Sequence, residues 1–327
     1  MSGASAGVGR ATCRRLAEAG YDVALLARGR AGLIAASDDV RSRGRRALEI
    51  TTDVADADEV EAAADRIEAE LGPIDVWVNV AMTTVFAPVS EITPAEFERA
   101  TEVTYLGQVY GTMTALRRMR PRDRGVIVSV GSALAFRSIA LQAPYCGAKF
   151  AARGFHGTVR AELRHEGSNV RVAQVHLPAV DTPQFGWCRN RLDRHPMPVP
   201  PIYSPERCAR VIVAVAQRPR RQRTVGVWNR ALIQLDKVMP GVLDHFAARS
   251  TWDGQQTDKP ADPERPGNLY EPLDDDIDHG ASGAFGDQDD GMLEPSFLRS
   301  LPSTAADLGG AMVDRCREIA GDWLARR

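Results

Sequence analysis

The sequence predicts an α/β fold built on a doubly wound parallel sheet, and three observations carry that expectation. Short apolar runs recur along the first 228 residues, segments of helical periodicity separate them, and a glycine-rich turn leads into the first helix. Apolar strands alternating with helices imply βαβ units, whose parallel sheet is covered on both faces.

In order, Ala11–Ala19 reads as a helix closed by Gly20, and Val23–Ala27 as a buried strand. Leu48–Thr51 is a second strand, followed by the polar run Asp53–Asp56. Val60–Leu71 is rich in helix formers and stops at Gly72-Pro73. Ile74–Val80 reads as strand, Pro94–Arg118 as one long helix, and Val126–Val130 as a β-branched strand. Then come helix Tyr145–Glu166, strand Val170–His176, helix Pro205–Gln217 and strand Thr224–Trp228. An amphipathic segment, Asn229–Arg249, broken by Pro240-Gly241, is expected to pack onto this body.

The expected organisation is a body over residues 1–252, an acidic stretch over 253–303 and a terminal helix over 304–327. Between Asp253 and Ser300 thirteen Asp/Glu stand against Lys259, Arg265 and Arg299, with few aliphatic residues, so composition predicts a mostly disordered tail. The net charge of only −2 offers no field for nucleic acid, and no apolar run approaches the ~20 residues of a membrane span. Five scattered cysteines form no C-x-x-C pair and six histidines no H-E-x-x-H, which argues against disulfide or zinc frameworks and fits a reducing cytoplasm; no metal is expected. Trp228 and Trp252 read as packing residues, and Cys146 as a small core residue.

Chemistry begins at the first residues. Gly3-Ala4-Ser5-Ala6-Gly7-Val8-Gly9 precedes a helix, so its backbone could approach a pyrophosphate closely while the helix N-terminus supplies N–H groups and partial positive charge. Gly3, Ser5, Gly7, Val8 and Gly9 are therefore candidate dinucleotide ligands. Such a loop ordinarily follows a central strand. Here nothing precedes it, so the sheet is expected to lack its first strand in this numbering, with several apolar residues upstream in the native chain.

Tyr145-Cys146-Gly147-Ala148-Lys149 puts a phenol and an ammonium at i and i+4 on one helix face. A phenol near pKa ~10 is too weak a base at neutral pH unless a neighbouring cation stabilises the phenolate. Ser132, thirteen residues upstream at the end of a strand, could hold a substrate oxygen near that phenol. A Tyr/Lys pair alone is mostly accidental; with the serine and the glycine loop it is not.

Together these motifs resemble the short-chain dehydrogenase/reductase family, over roughly residues 1–230. The resemblance implies a Rossmann-like fold, a nicotinamide coenzyme on the glycine loop, Tyr145 as general acid/base, Lys149 on the nicotinamide ribose and Ser132 orienting substrate. It also assigns Asp53 to the adenine, Asn79 to the family's Asn-Asn-Ala-Gly segment, and Thr182 to the nicotinamide carboxamide. The sequence departs from the pattern at Asn79-Val80-Ala81-Met82, at Pro178-Ala179 and at Thr104, where the family carries a relay asparagine. The second strand ends Ala27-Arg28 without an acid, and a guanidinium suits a 2′-phosphate, so NADP(H) is expected over NAD(H). The lid position falls on Phe185–Tyr203, with no catalytic role for His195.

The expected function is hydride transfer between NADP(H) and a small carbonyl or alcohol substrate in a cytoplasmic homo-oligomer. The alternative is a catalytically weak dinucleotide-binding regulatory or scaffold protein, favoured by Thr104 and opposed by the intact Ser132, Tyr145 and Lys149. A third reading, a membrane-surface enzyme using Asn229–Arg249, has only amphipathicity behind it.

Overall fold

The computed structural model describes residues 1–286; the remainder of the acidic stretch and the expected terminal helix lie outside the described residues. Strand β1 (Val23–Ala27) pairs in parallel with β2 (Ala47–Thr51). Strands β3 (Val76–Asn79), β4 (Val126–Ser132), β5 (Arg171–Leu177) and β6 (Gln222–Thr224) form a second parallel set in the order 6-5-4-3. Residues 1–4 stitch the two sets together. Ser2 bridges Leu26 on one side and donates its N–H to Val78 O (3.0 Å) on the other, and Ala4 N–H donates to Leu26 O (3.2 Å). The expected gap between β1 and β3 is thus spanned at its upper end, while below it lies a cavity of about 280 Å³ bordered by Met1, Val23, Val76 and Trp77. Met1's amino group donates to Ala24 O (3.0 Å), and burial lowers its pKa to about 6.

Helices α1 (Gly7–Glu18), α2 (Arg30–Arg41), α3 (Ala57–Glu70), α4 (Pro94–Thr101), α5 (Gly107–Met119), α6 (Ala143–His165) and α7 (Pro205–Gln217) cover the sheet. On one face Val60, Ile67, Ala115, Val159 and Leu163 meet Leu26, Trp77, Ile127 and Val172; α1, α2 and α7 cover the other. Local signals explain the starts. Asp56 caps α3 by accepting from the N–H groups of Asp58 and Glu59, and Thr93 with Glu96 forms a reciprocal capping box on α4.

The structure departs from the sequence reading in three places. The long helix over Pro94–Arg118 is divided by a π-helical turn at Glu102–Leu106. Strand β6 ends at Thr224, because Gly226, at φ +84°, turns the chain into helix α8 (Val227–Val238); a Cβ there would stand 2.7 Å from Tyr203 Oη. Residues 254–286, expected to be disordered, run as an arm back over the body, so the compact unit does not stop at 252. Strand Gln256–Pro260 pairs with Arg194–Pro196, Leu269 is buried with Val85 and Ala100, and Arg189 donates to the carbonyls of Pro263 and Arg265. The aliphatic residues that composition misses are replaced by arginine donors on the body. Among the described residues no helix is long and apolar enough to cross a membrane.

Candidate active site

A cavity of about 650 Å³ opens at the carboxyl ends of the strands, where parallel sheets of this kind bind ligands. The glycine loop forms one wall: Gly3, Ser5, Gly7, Val8 and Gly9 all line it. A Cβ on Gly9 would stand 1.7 Å from the Gly3 carbonyl oxygen, and Gly7 holds φ +56° against Thr182, so the turn tolerates only glycine there. Gly7 and Gly9 bring no side chain to the start of α1, where the Gly7 N–H donates to Gly280 O (3.1 Å) on the arm, and the cavity volume is of the size that holds a dinucleotide.

The expected catalytic residues share this cavity. β4 ends at Ser132, whose Oγ accepts the Leu134 N–H (3.1 Å) and hydrogen-bonds the Tyr145 phenol. One turn along α6, Lys149 is buried, with Nζ donating to Val130 O (2.9 Å) and lying 5.3 Å from the Tyr145 ring centroid. The electrostatics differ from the sequence expectation. Burial pushes the Tyr145 phenol up to about 12, with the Ser132 hydrogen bond pulling the other way. Burial also holds the Lys149 ammonium down at about 7. Desolvation is the largest influence on both groups. In this setting the Tyr145 phenol holds its proton more tightly than a free tyrosine does.

Other expected residues divide. Thr182, Asp53 and Arg28 line the cavity. Asp53 ion-pairs with Arg99, and Arg28 donates to the carbonyls of Asn268 and Tyr270 on the arm. Asn79 does not reach the cavity wall. Its amide accepts from Trp77 Nε1 (2.8 Å) and donates to Thr112 Oγ1 (3.1 Å), fixing β3 against α5. Thr104 is fully buried in the π-helical turn and clamps residue 83, accepting its N–H (2.9 Å) and donating to its carbonyl (2.8 Å). It braces the loop after β3 and commits its one hydroxyl proton to that carbonyl. His176, on β5 behind the serine, is buried and held neutral, its pKa lowered to about 4 by desolvation.

The far end of the cavity is apolar, with Phe185, Trp187, Met197 and Leu232 on its walls. Trp228, expected to pack in the interior, is 38% exposed and lines this end, and Trp252 is exposed as well. The arm residues Asn268, Pro272 and Asp274 complete the opposite end. Sequence reasoning missed them, because no local pattern links residue 274 to residue 28.

Comparison with known proteins agrees with this geometry. The short chain dehydrogenase family profile matches residues 1–191. The chain is 30% identical to the oxidoreductase YxnA of Bacillus subtilis (strain 168) over 273 residues, which is 83% of this chain and 77% of that protein. It is 35% identical to the cis-4-hydroxycyclohexanecarboxylate dehydrogenase of Sinomonas cyclohexanicum over 188 residues, 56% of this chain and 73% of that one. Among solved structures, an alcohol dehydrogenase from the archaeon Thermococcus sibiricus, complexed with 5-hydroxy-NADP, aligns with a TM-score of 0.60 and 25% identity, over 69% of this chain and 93% of that one. With the profile covering more than half of its length, the chain belongs to the short-chain dehydrogenase/reductase family of oxidoreductases.

Proposed function

We propose that the protein is an NADP(H)-dependent reductase of a small ketone or aldehyde, or the reverse alcohol dehydrogenase, with Tyr145 as the proton-transfer residue. The observation that carries the reading is the convergence of Ser132, Tyr145 and Lys149 with the glycine loop on one cavity. Bound nicotinamide supplies the hydride donor or acceptor at its C4. Val8 and Gly9 offer backbone to the pyrophosphate, Gly7 having its N–H on Gly280 O, and Thr182 sits beside Gly7 to meet the carboxamide end. Ser132 donates to the substrate oxygen and holds it against the phenol. Tyr145, protonated at neutral pH, gives its proton to that oxygen as the carbonyl is reduced and recovers it in the reverse direction. The apolar end formed by Phe185, Trp187 and Met197 favours an uncharged substrate body.

NADP(H) is preferred in this reading because Arg28 stands at the end of β1 and no acid stands on that strand. The reading extends to a homo-oligomer, supported by Phe97, Met113 and Phe150 left exposed on α4, α5 and α6, and to the cytoplasm, in keeping with the scattered cysteines of the sequence. Light scattering with gel filtration checks the assembly. The test of function is a ketone panel assayed by nicotinamide absorbance. Wild type should turn over at least one ketone with NADPH. Tyr145→Phe should lose that activity ~10³-fold while still binding NADPH. Equal rates in the two proteins would refute the role of Tyr145.

A further inference from the structure

The adenosine end of the cavity carries a carboxylate that the reading above does not use. Asp274 lies in the arm over residues 254–286 and is only 6% exposed, yet it lines the cavity. Its oxygens sit directly over the start of α2. A Cβ on Gly29 would stand 1.8 Å from Oδ1, and one on Gly32 would stand 2.7 Å from Oδ2. Both positions are glycine, so the carboxylate is admitted against the backbone. Among the described residues it accepts no hydrogen bond, and the charge it opposes is that of Arg28.

The arm holds this carboxylate in place from both sides. Gly32 N–H donates to Asp274 O (3.1 Å), Ala31 N–H to Asp275 O (3.0 Å), and Arg30 N–H to Asp275 Oδ1 (3.0 Å). Upstream, Arg28 grips the carbonyls of Asn268 and Tyr270; downstream, Arg10 pairs with Asp278. A side chain fixed this way, buried and with no donor among the described residues, lies on the cavity wall beside Arg28.

In dinucleotide sites, an acid at the end of the second strand accepts from the ribose 2′-hydroxyl and repels a 2′-phosphate. In this chain that strand end, Ala27-Arg28, has no acid. We propose that Asp274 is that acid, a coenzyme-specificity residue delivered by the C-terminal arm to the place the strand leaves without one. Arg28 attracts a 2′-phosphate; Asp274 accepts a 2′-hydroxyl and limits that attraction. The coenzyme ratio is then set by two residues 246 positions apart, from 28 to 274. The inference rests on the reading above only in that a nicotinamide dinucleotide enters this cavity; it does not depend on which one the wild type prefers.

The test is calorimetric titration of the full chain with NADPH and with NADH separately, for wild type, Asp274→Asn, Asp274→Ala and Asp278→Asn. Both substitutions at 274 should tighten NADPH, weaken NADH and raise the Kd ratio (NADH over NADPH) tenfold or more. Asp278→Asn, which weakens the anchor to Arg10 and the acceptor of the Gly280 N–H and so loosens the arm, should move the ratio in the same direction by a smaller factor. The alanine variant keeps the test open if the asparagine protein fails to fold. An unchanged ratio, or two affinities that move together, would overturn the assignment and leave Asp274 as a structural member of the arm. Wild-type preference for NADH would contradict the NADP(H) proposal alone, since the ratio would still shift at 274. Binding of neither coenzyme would sink both.

Discussion

The two ends of the cavity are built in opposite ways. At the catalytic end, Ser132, Tyr145 and Lys149 are buried or half-buried, come from two neighbouring elements, and are fixed by backbone groups such as Val130 O. At the adenosine end, Arg28, Asp53, Arg99 and Asp274 are charged and come from four distant stretches of chain. The first is a dry site in which burial governs proton affinity. The second is a set of opposed charges in which a coenzyme's own charge decides the balance. Chemistry is therefore written locally, and coenzyme selection is assembled by the tertiary fold.

The largest expected effect tests the dryness of the catalytic end. The folded pKa of Lys149, about 7, lies below its unfolded value, so the unfolded chain binds more protons above pH 7. Stability should climb as pH rises from 7 toward 10, by on the order of 4 kcal/mol from this group. Lys149→Met should flatten that climb in denaturant titrations run across the range. If both proteins show the same slope, the lysine is hydrated and the comparison of the two ends fails.

Next comes the loop that joins the ends. Gly9→Ala drives a methyl into the Gly3 carbonyl and should weaken NADPH binding about a hundredfold, near ~3 kcal/mol. Gly147→Ala, where a Cβ meets nothing within 4 Å, should leave binding unchanged and add up to ~1 kcal/mol of stability. Equal losses in both variants would show that the loop's close approach is not what makes its glycines necessary.

The smallest effect is at the adenosine end. Arg28→Asp should shift the ratio of kcat/KM values toward NADH by roughly tenfold, about 1.4 kcal/mol. The change is modest because Asp274 already opposes the 2′-phosphate at the same place. A ratio that does not move would remove Arg28 from coenzyme choice.

Legibility in the sequence follows the same division. Strands such as β1 and β4 could be read because each is a short apolar run buried on both faces, and the Tyr145/Lys149 pair because it follows the 3.6-residue period of one helix. The glycine loop could be read because steric demand forces residue identity. The π-turn at Glu102–Leu106 could not, since Pro94–Arg118 keeps helical periodicity throughout. Thr104 and Asn79 resembled site residues by position, but their side chains are spent on Thr83 and Thr112. The arm was misread because its composition matches that of disordered chains, while Arg10, Arg28 and Arg189 satisfy its carbonyls and carboxylates from the body.

The central claim is that Tyr145 moves a proton while a nicotinamide coenzyme occupies the same cavity, and a single-turnover reaction tests it most directly. Enzyme loaded with NADPH is mixed with an excess of the best ketone from the panel, and nicotinamide absorbance is followed in wild type and Tyr145→Phe at matched coenzyme occupancy. The account predicts rapid loss of absorbance in wild type and a rate lower by ~10³-fold in the variant. Indistinguishable single-turnover rates at equal occupancy would contradict it.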